Sequence, residues 1–232
     1  MLHHVFCGDC AADAARRHLT PRPSGPDATG PVHVWKDSSA VGPSSADPVK
    51  HRRLRSAWWN VDESQIQHPS NLPHDGELVL WFGPDPWEQI ALLEVLAGVT
   101  TSPSLVPLAC SVGELAPHDF AALPGLRRAV PDLARFASIW RSFCVDDRPA
   151  LDIAIRALTD HPDLPHLAPA LARVLADRRD HLTERRVRDL VAAGTRDIQP
   201  LMHALAALEA PHHGAWYGDV IVTRMRDAAL VP

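Results

Sequence analysis

Three aspartates in this chain occupy the same kind of corner. Asp9 lies in Cys7-Gly8-Asp9-Cys10, Asp37 in Trp35-Lys36-Asp37-Ser38 and Asp85 in Gly83-Pro84-Asp85-Pro86, each close behind a short apolar run. If those runs are parallel neighbouring strands, the three carboxylates converge on one rim. There they could hold a divalent cation, bind a substrate amine, or share acid and base work with raised pKa values. Singly, each has a simpler account. A carboxylate before a helix accepts backbone N–H bonds and complements the helix dipole, which would explain Asp9 and Asp85, and an aspartate in a turn, such as Asp37, is ordinary. The site is therefore predicted from the convergence, and amide replacement at Asp37 or Asp85 should cost function more than stability.

Cys10 opens a helix, where a thiol is biased toward the thiolate. Asp9 and Asp13 oppose that bias, and a nucleophilic Cys10 would need a base from among the 14 histidines; a half-buried structural thiol is the simpler reading. Cys7 and Cys10 form a C-x-x-C, but no second pair follows at the spacing a structural zinc site requires. With Cys110 and Cys144 isolated, the cysteines read as free thiols. Glu88 fits a reciprocal capping position. Gln89 does not: a polar amide on a helix otherwise built of Ile90, Leu92, Leu93, Val95 and Leu96 needs a partner or a ligand. The expected catalytic set is Asp9, Cys10, Asp37 and Asp85, and the expected ligand-contacting set is Gly8, Ser38, Trp81 and Gln89. Trp81 and Trp87 are equally accounted for as core or rim aromatics.

Positioning these residues falls to four apolar runs of strand length, Leu2 to Phe6, Val32 to Trp35, Leu78 to Phe82 and Leu105 to Ala109. Helices are predicted at Cys10 to Leu19 and Trp87 to Ala97. The second has Asp85 as N-cap, Pro86 at the first position and Gly98 as its stop. Strands alternating with helices imply an α/β fold with a mainly parallel, Rossmann-like sheet in the N-terminal half, ligands binding outside the strands' carboxyl ends. Residues 38–76 form a long excursion with a short helix near Val49 to Trp59. From about residue 114 the chain reads as helical: Leu115 to Leu123, Pro131 to Phe143, Arg148 to Leu158, Leu164 to Asp177, Thr183 to Ala193, Ile198 to Glu209 and Tyr217 to Ala229. The expected organisation is a sheet domain over 1–113 and a helical region over 114–232, whose part 182–232 is helix-turn-helix-like.

At 232 residues and 46% hydrophobic content the chain can bury a substantial core. A formal net charge of -5 argues against a general binder of nucleic acid or anionic membranes. No apolar run approaches the about 18 residues of a membrane span, and the expectation is a cytoplasmic protein.

The blocks "VFCGDCAADAARRH", "VHVWKDSSAVGP", "ELVLWFGPDPWEQIALLEVL" and "GAWYGDVIVTRMRDAAL" together resemble the bacterial family called domain of unknown function 1835. That family shows a Gly-Asp-Ser before a helix, a Trp-(Arg)-Asp with a following Gly-Pro, and a Trp-Phe-x-x-Asp-x-x-x-Gln-x-x-Leu-Leu block. The resemblance maps these onto Gly8-Asp9-Cys10, onto Trp35-Lys36-Asp37 with Gly42-Pro43, and onto Trp81-Phe82 through Asp85 and Gln89 to Leu92-Leu93. Cys10 stands where the family has serine, Gly83-Pro84 where many members have Glu-His, and the stretch after Pro43 is shorter.

The favoured reading is a small-molecule enzyme of hydrolytic or group-transfer type, its cofactor left open, with a divalent metal among the candidates. The alternative is a ligand-binding or regulatory module that contacts DNA through Arg185, Arg186 and Arg188, although a solvated basic face explains these arginines more simply. A third role would have Trp58-Trp59 dock a partner. The segment Asp163 to His166 imitates the Asp-x-x-His of serine esterases, a likeness read as coincidence.

Overall fold

The computed structural model describes residues 1–19, 30–213 and 216–231; Gly214 and Ala215, which open the last of the four blocks quoted above, lie outside the described residues. Strands β1 (Leu2–Cys7), β2 (Val32–Trp35), β3 (Glu77–Trp81), β4 (Ser104–Leu105) and β5 (Arg128–Ala129) form a single sheet in the order β2-β1-β3-β4-β5. The first four run parallel and β5 pairs antiparallel to β4. Phe6 is level with Val34 on one side and Trp81 on the other, which aligns the strand ends.

Alternation along the strands sorts side chains into two layers. Phe6, Val79 and Trp81 face the helix α1 (Asp9–His18), whose Ala11, Ala12 and Ala15 allow close approach. Val5, Leu78 and Leu80 face the opposite layer, shared with α3 (Pro86–Gly98) and the helices of the C-terminal half. Helix α3 is buried nearly all round because it lies between the sheet and two further helices, α5 (Leu133–Cys144) and α7 (Leu167–Asp180). The remaining helices are α2 (Pro48–Trp59), α4 (Asp119–Ala122), α6 (Arg148–Leu158), α8 (Leu182–Ala192), α9 (Ile198–Leu208) and α10 (Asp219–Leu230). One hydrophobic cluster runs from the sheet through α3 to Val187, Leu201 and Val222. Among the described residues no helix is long and apolar enough to cross a membrane.

Several elements differ from the sequence reading. The fourth strand ends at Leu105 and does not reach Ala109; the last bond to β3 runs from Val106 N to Leu80 O, and Pro107 follows directly. The two-residue β5 is too short to show periodicity. The helix expected over 115–123 is reduced to α4, confined by Pro117 and Pro124. Thr183 does not cap α8. Its side chain is buried, accepting from Arg173 and donating to Asp177.

Candidate functional site

The chain leaves β1 toward β2 and leaves β3 toward β4, in opposite directions along the sheet, so a crevice opens outside the carboxyl ends of β1 and β3. Gly8 closes β1 with φ 87 and ψ 155, a conformation reserved for glycine, and its N–H donates to Trp35 O at 2.8 Å. Nothing would collide with a Cβ there, so Gly8→Ala isolates backbone strain. A loss of about 1–3 kcal/mol in chemical denaturation is expected. Wild-type stability in that variant would show the turn to be permissive.

Across the crevice, β3 runs into α3. Asp85 caps the helix, its Oδ1 accepting from Glu88 N at 2.9 Å. The Glu88 side chain does not return a bond to the Asp85 backbone as a reciprocal cap would. Its Oε2 instead accepts from Gly83 N at 2.6 Å, and Ser111 Oγ lies 3.4 Å from its Oε1. A Cβ on Gly83 would lie 3.0 Å from Glu88 Oε1, so glycine makes room for this fold-back. Burial, reinforced by the Asp85 carboxylate, raises the Glu88 pKa from 4.5 to about 8, and burial also raises that of Asp85. Burial therefore favours the protonated form of Glu88. The buried Cys7 thiol is pushed up by burial, then by Glu88, Asp85 and Asp37.

Asp37 and Asp85 both lie within electrostatic reach of Cys7, but Asp37 is already engaged. Its Oδ2 accepts from Arg55 Nε at 2.7 Å, and its Oδ1 from Arg55 Nη2, Ser38 N at 2.8 Å and Trp59 Nε1 at 2.9 Å. This carboxylate anchors α2 to the end of β2, and that structural role occupies most of its acceptor capacity. Ser38 is fully buried and donates to Trp87 O at 2.7 Å, a structural contact. Asp9 does not join the other two. It sits in the first turn of α1, paired with Lys36 at 3.0 Å, and both side chains are more than half exposed. Cys10 is exposed while Cys7 is buried, so the C-x-x-C does not act as a pair, and all four cysteines are free. Trp81 lies inside the core rather than at the rim, stacked on Phe6 and Phe120, with Nε1 donating to His4 Nδ1 at 3.1 Å. Among the described residues no group of three or more His, Cys, Asp or Glu could hold a metal ion.

Gln89 does reach a cavity. Its Nε2 donates to Gly83 O at 2.7 Å, while its buried Oε1 has no hydrogen-bond partner. The cavity, about 220 Å³, lies beyond the end of β4, walled by Phe82, Leu105, Leu108 and Leu164, with Arg128, Asp163 and His166 also lining it. Burial and then the charge of nearby His213 lower the pKa of His166. Asp163 and His166 thus do border the site, although Asp163 pairs with Arg128 at 2.9 Å and no serine or cysteine lines the cavity. Sequence reasoning missed this wall and the raised pKa of Glu88. The only available signal for Glu88 was a carboxylate on a helix apolar on every face.

A larger cavity of about 410 Å³ lies between Trp58, α7 and α10. Of the three arginines on α8, Arg186 pairs with Glu209, Arg188 pairs with Glu184 at 3.2 Å, and Arg185 is exposed. No protein-family model matches this chain, and no curated protein or solved structure is significantly similar to it.

Proposed function

We propose that this protein is a small-molecule enzyme of hydrolytic or group-transfer type, working at the carboxyl ends of β1 and β3, with Glu88 and Asp85 as its acid and base. The observation that carries the reading is the pair itself: two carboxyl groups at the start of α3, Asp85 as its N-cap and Glu88 on its first turn, the latter folded back on Gly83 and pushed by burial toward its protonated form. Carboxyl groups whose environments split their protonation states divide naturally into donor and acceptor. The neighbouring cavity, which Gln89 lines, supplies room for a substrate. Membership of the domain of unknown function 1835 family is part of the proposal, since its blocks fall at the ends of β1, β2 and β3. So is a cytoplasmic location, where the free thiols would persist.

The test is turnover of p-nitrophenyl acetate and p-nitrophenyl phosphate by the wild type and by Glu88→Gln. Glutamine is isosteric with the protonated acid and its carbonyl can still accept from Gly83 N, so the fold should be kept. At least one substrate should be turned over, with activity falling as pH passes about 8, where Glu88 ionises. The variant should be slower by about 100-fold or more. Equal rates in the two proteins, or no turnover of either substrate by the wild type, would overturn the assignment.

A further inference from the structure

The cavity between Trp58, α7 and α10 shares no lining residue with the one beside Gln89 and differs from it in charge. Its volume, about 410 Å³, is that of sites for small organic molecules. Val41, Ile221 and Met225 give it apolar wall, and Trp58, 38% exposed, packs its indole against Gly42, where a Cβ would fall 2.7 Å from the ring. Two arginines line the same space without an acidic partner. Arg178 Nη2 donates to Ser39 O at 2.9 Å and its Nη1 to Phe143 O at 3.2 Å, while its Nε–H has no acceptor among the described residues and is not sealed from solvent. Arg224 is exposed, and its Nη1 donates to Trp58 O at 3.4 Å. Burial lowers the pKa of Arg178 against the attraction of Asp146, as expected of a charge met by carbonyl dipoles alone. The carboxylates that also line the cavity are already matched. Asp177 pairs with Arg173 at 3.1 Å and Glu184 with Arg188 at 3.2 Å. The remaining titratable groups engage those same carboxylates, since Tyr217 donates to Asp177 and His181 lies 3.6 Å from Glu184.

We infer that this cavity binds a small organic monocarboxylate, its charge facing Arg178 and Arg224 and its apolar body lying against Trp58, Val41 and Met225. A half-buried cation held only by carbonyls gains most from an anion that reaches it, and a planar guanidinium matches the shape of a carboxylate. Asp177 and Glu184 stand on the same wall and disfavour a dianion. The site is independent of Glu88 and of the reading of the strand ends given above.

Phenylacetate, phenylacetamide, benzyl phosphate and phenethylammonium carry the same ring behind a monoanion, a neutral amide, a dianion and a cation. They serve as probes, titrated into the full chain and followed by calorimetry and by amide shifts in NMR. Phenylacetate should bind about tenfold tighter than phenylacetamide and more tightly than the other two, with shifts at Val41, Gly42 and Met225. In Arg178→Met most of the preference for the acid over the amide should vanish. Because that change also cuts the bonds to Ser39 and Phe143, Arg224→Gln, at an exposed position, is the second variant, and there the preference should fall about threefold. Glu88→Gln should bind phenylacetate as the wild type does. Equal binding of acid and amide, tightest binding of the phosphate or the ammonium, a preference unchanged in Arg224→Gln, shifts confined to other residues, or no shift at all would each overturn the inference. Loss of binding in Glu88→Gln would place the ligand at the strand ends and overturn it equally.

Discussion

Asp37→Ala is expected to destabilise the protein by about 3–5 kcal/mol, because it strands a buried guanidinium. Arg55 is completely shielded from solvent, and its charge is met by the Asp37 carboxylate alone. Its other bonds go to the carbonyls of Ser38, Val41 and Pro43. Those oxygens carry dipoles and no compensating charge. In a chain of this length the loss should appear as a fall in the thermal midpoint of roughly 10 °C. Pairing the change with Arg55→Met should recover much of it, since the penalty belongs to the unpaired charge and not to the missing contact. Calorimetry on the two single variants and the double variant decides the matter. An Asp37→Ala protein as stable as the wild type would mean that Arg55 finds solvent. The sequence alone led to an expectation of lost function with stability kept at this position; the buried ion pair predicts a large loss of stability as well.

The second large effect concerns pH. The folded pKa of Glu88 is raised, from 4.5 to about 8, so its contribution to stability is complete below 4.5 and is lost as pH rises through 8. Between those values the unfolded chain has released the proton that the folded one retains, and folding becomes steadily less favourable, on the order of 5 kcal/mol across the window. His4 acts in the opposite sense at the acid end. Burial lowers its pKa from 6.5 to about 4, so its contribution is present above 6.5 and is lost as pH falls toward 4. The two trends overlap at low pH and separate above it. Between pH 6.5 and 8 the wild type should therefore lose stability while Glu88→Gln stays nearly level. Urea midpoints measured across this interval provide the check, and parallel curves for the two proteins would show that Glu88 is ionised at neutral pH.

What the sequence determined by itself was everything set by neighbouring residues. Short apolar runs gave the first three strands, and Asp85, Pro86 and Gly98 marked α3 because caps and stops act within a single turn. The same locality shows why the fourth strand was overextended: an apolar run does not reveal that pairing with β3 stops after the bond from Val106 N to Leu80 O. Gln89 was legible as an anomaly, a polar group on a helix with no polar face. Its meaning was not, because the far wall of its cavity comes from Pro162 to His166, more than seventy positions along the chain. Asp37 illustrates the other side of the limit. Turn, metal ligand and acid are all served by one aspartate, and only the packing of α2, which carries Arg55 to within 2.7 Å, turned it into a buried ion pair. Glu88 looked like a cap until tertiary structure closed Gly83 and Ser111 around it and removed the water that would have kept it ionised. Periodicity and capping are short-range and are written into the order of residues. Charge pairing, burial and protonation depend on distances that exist only once the layers have assembled.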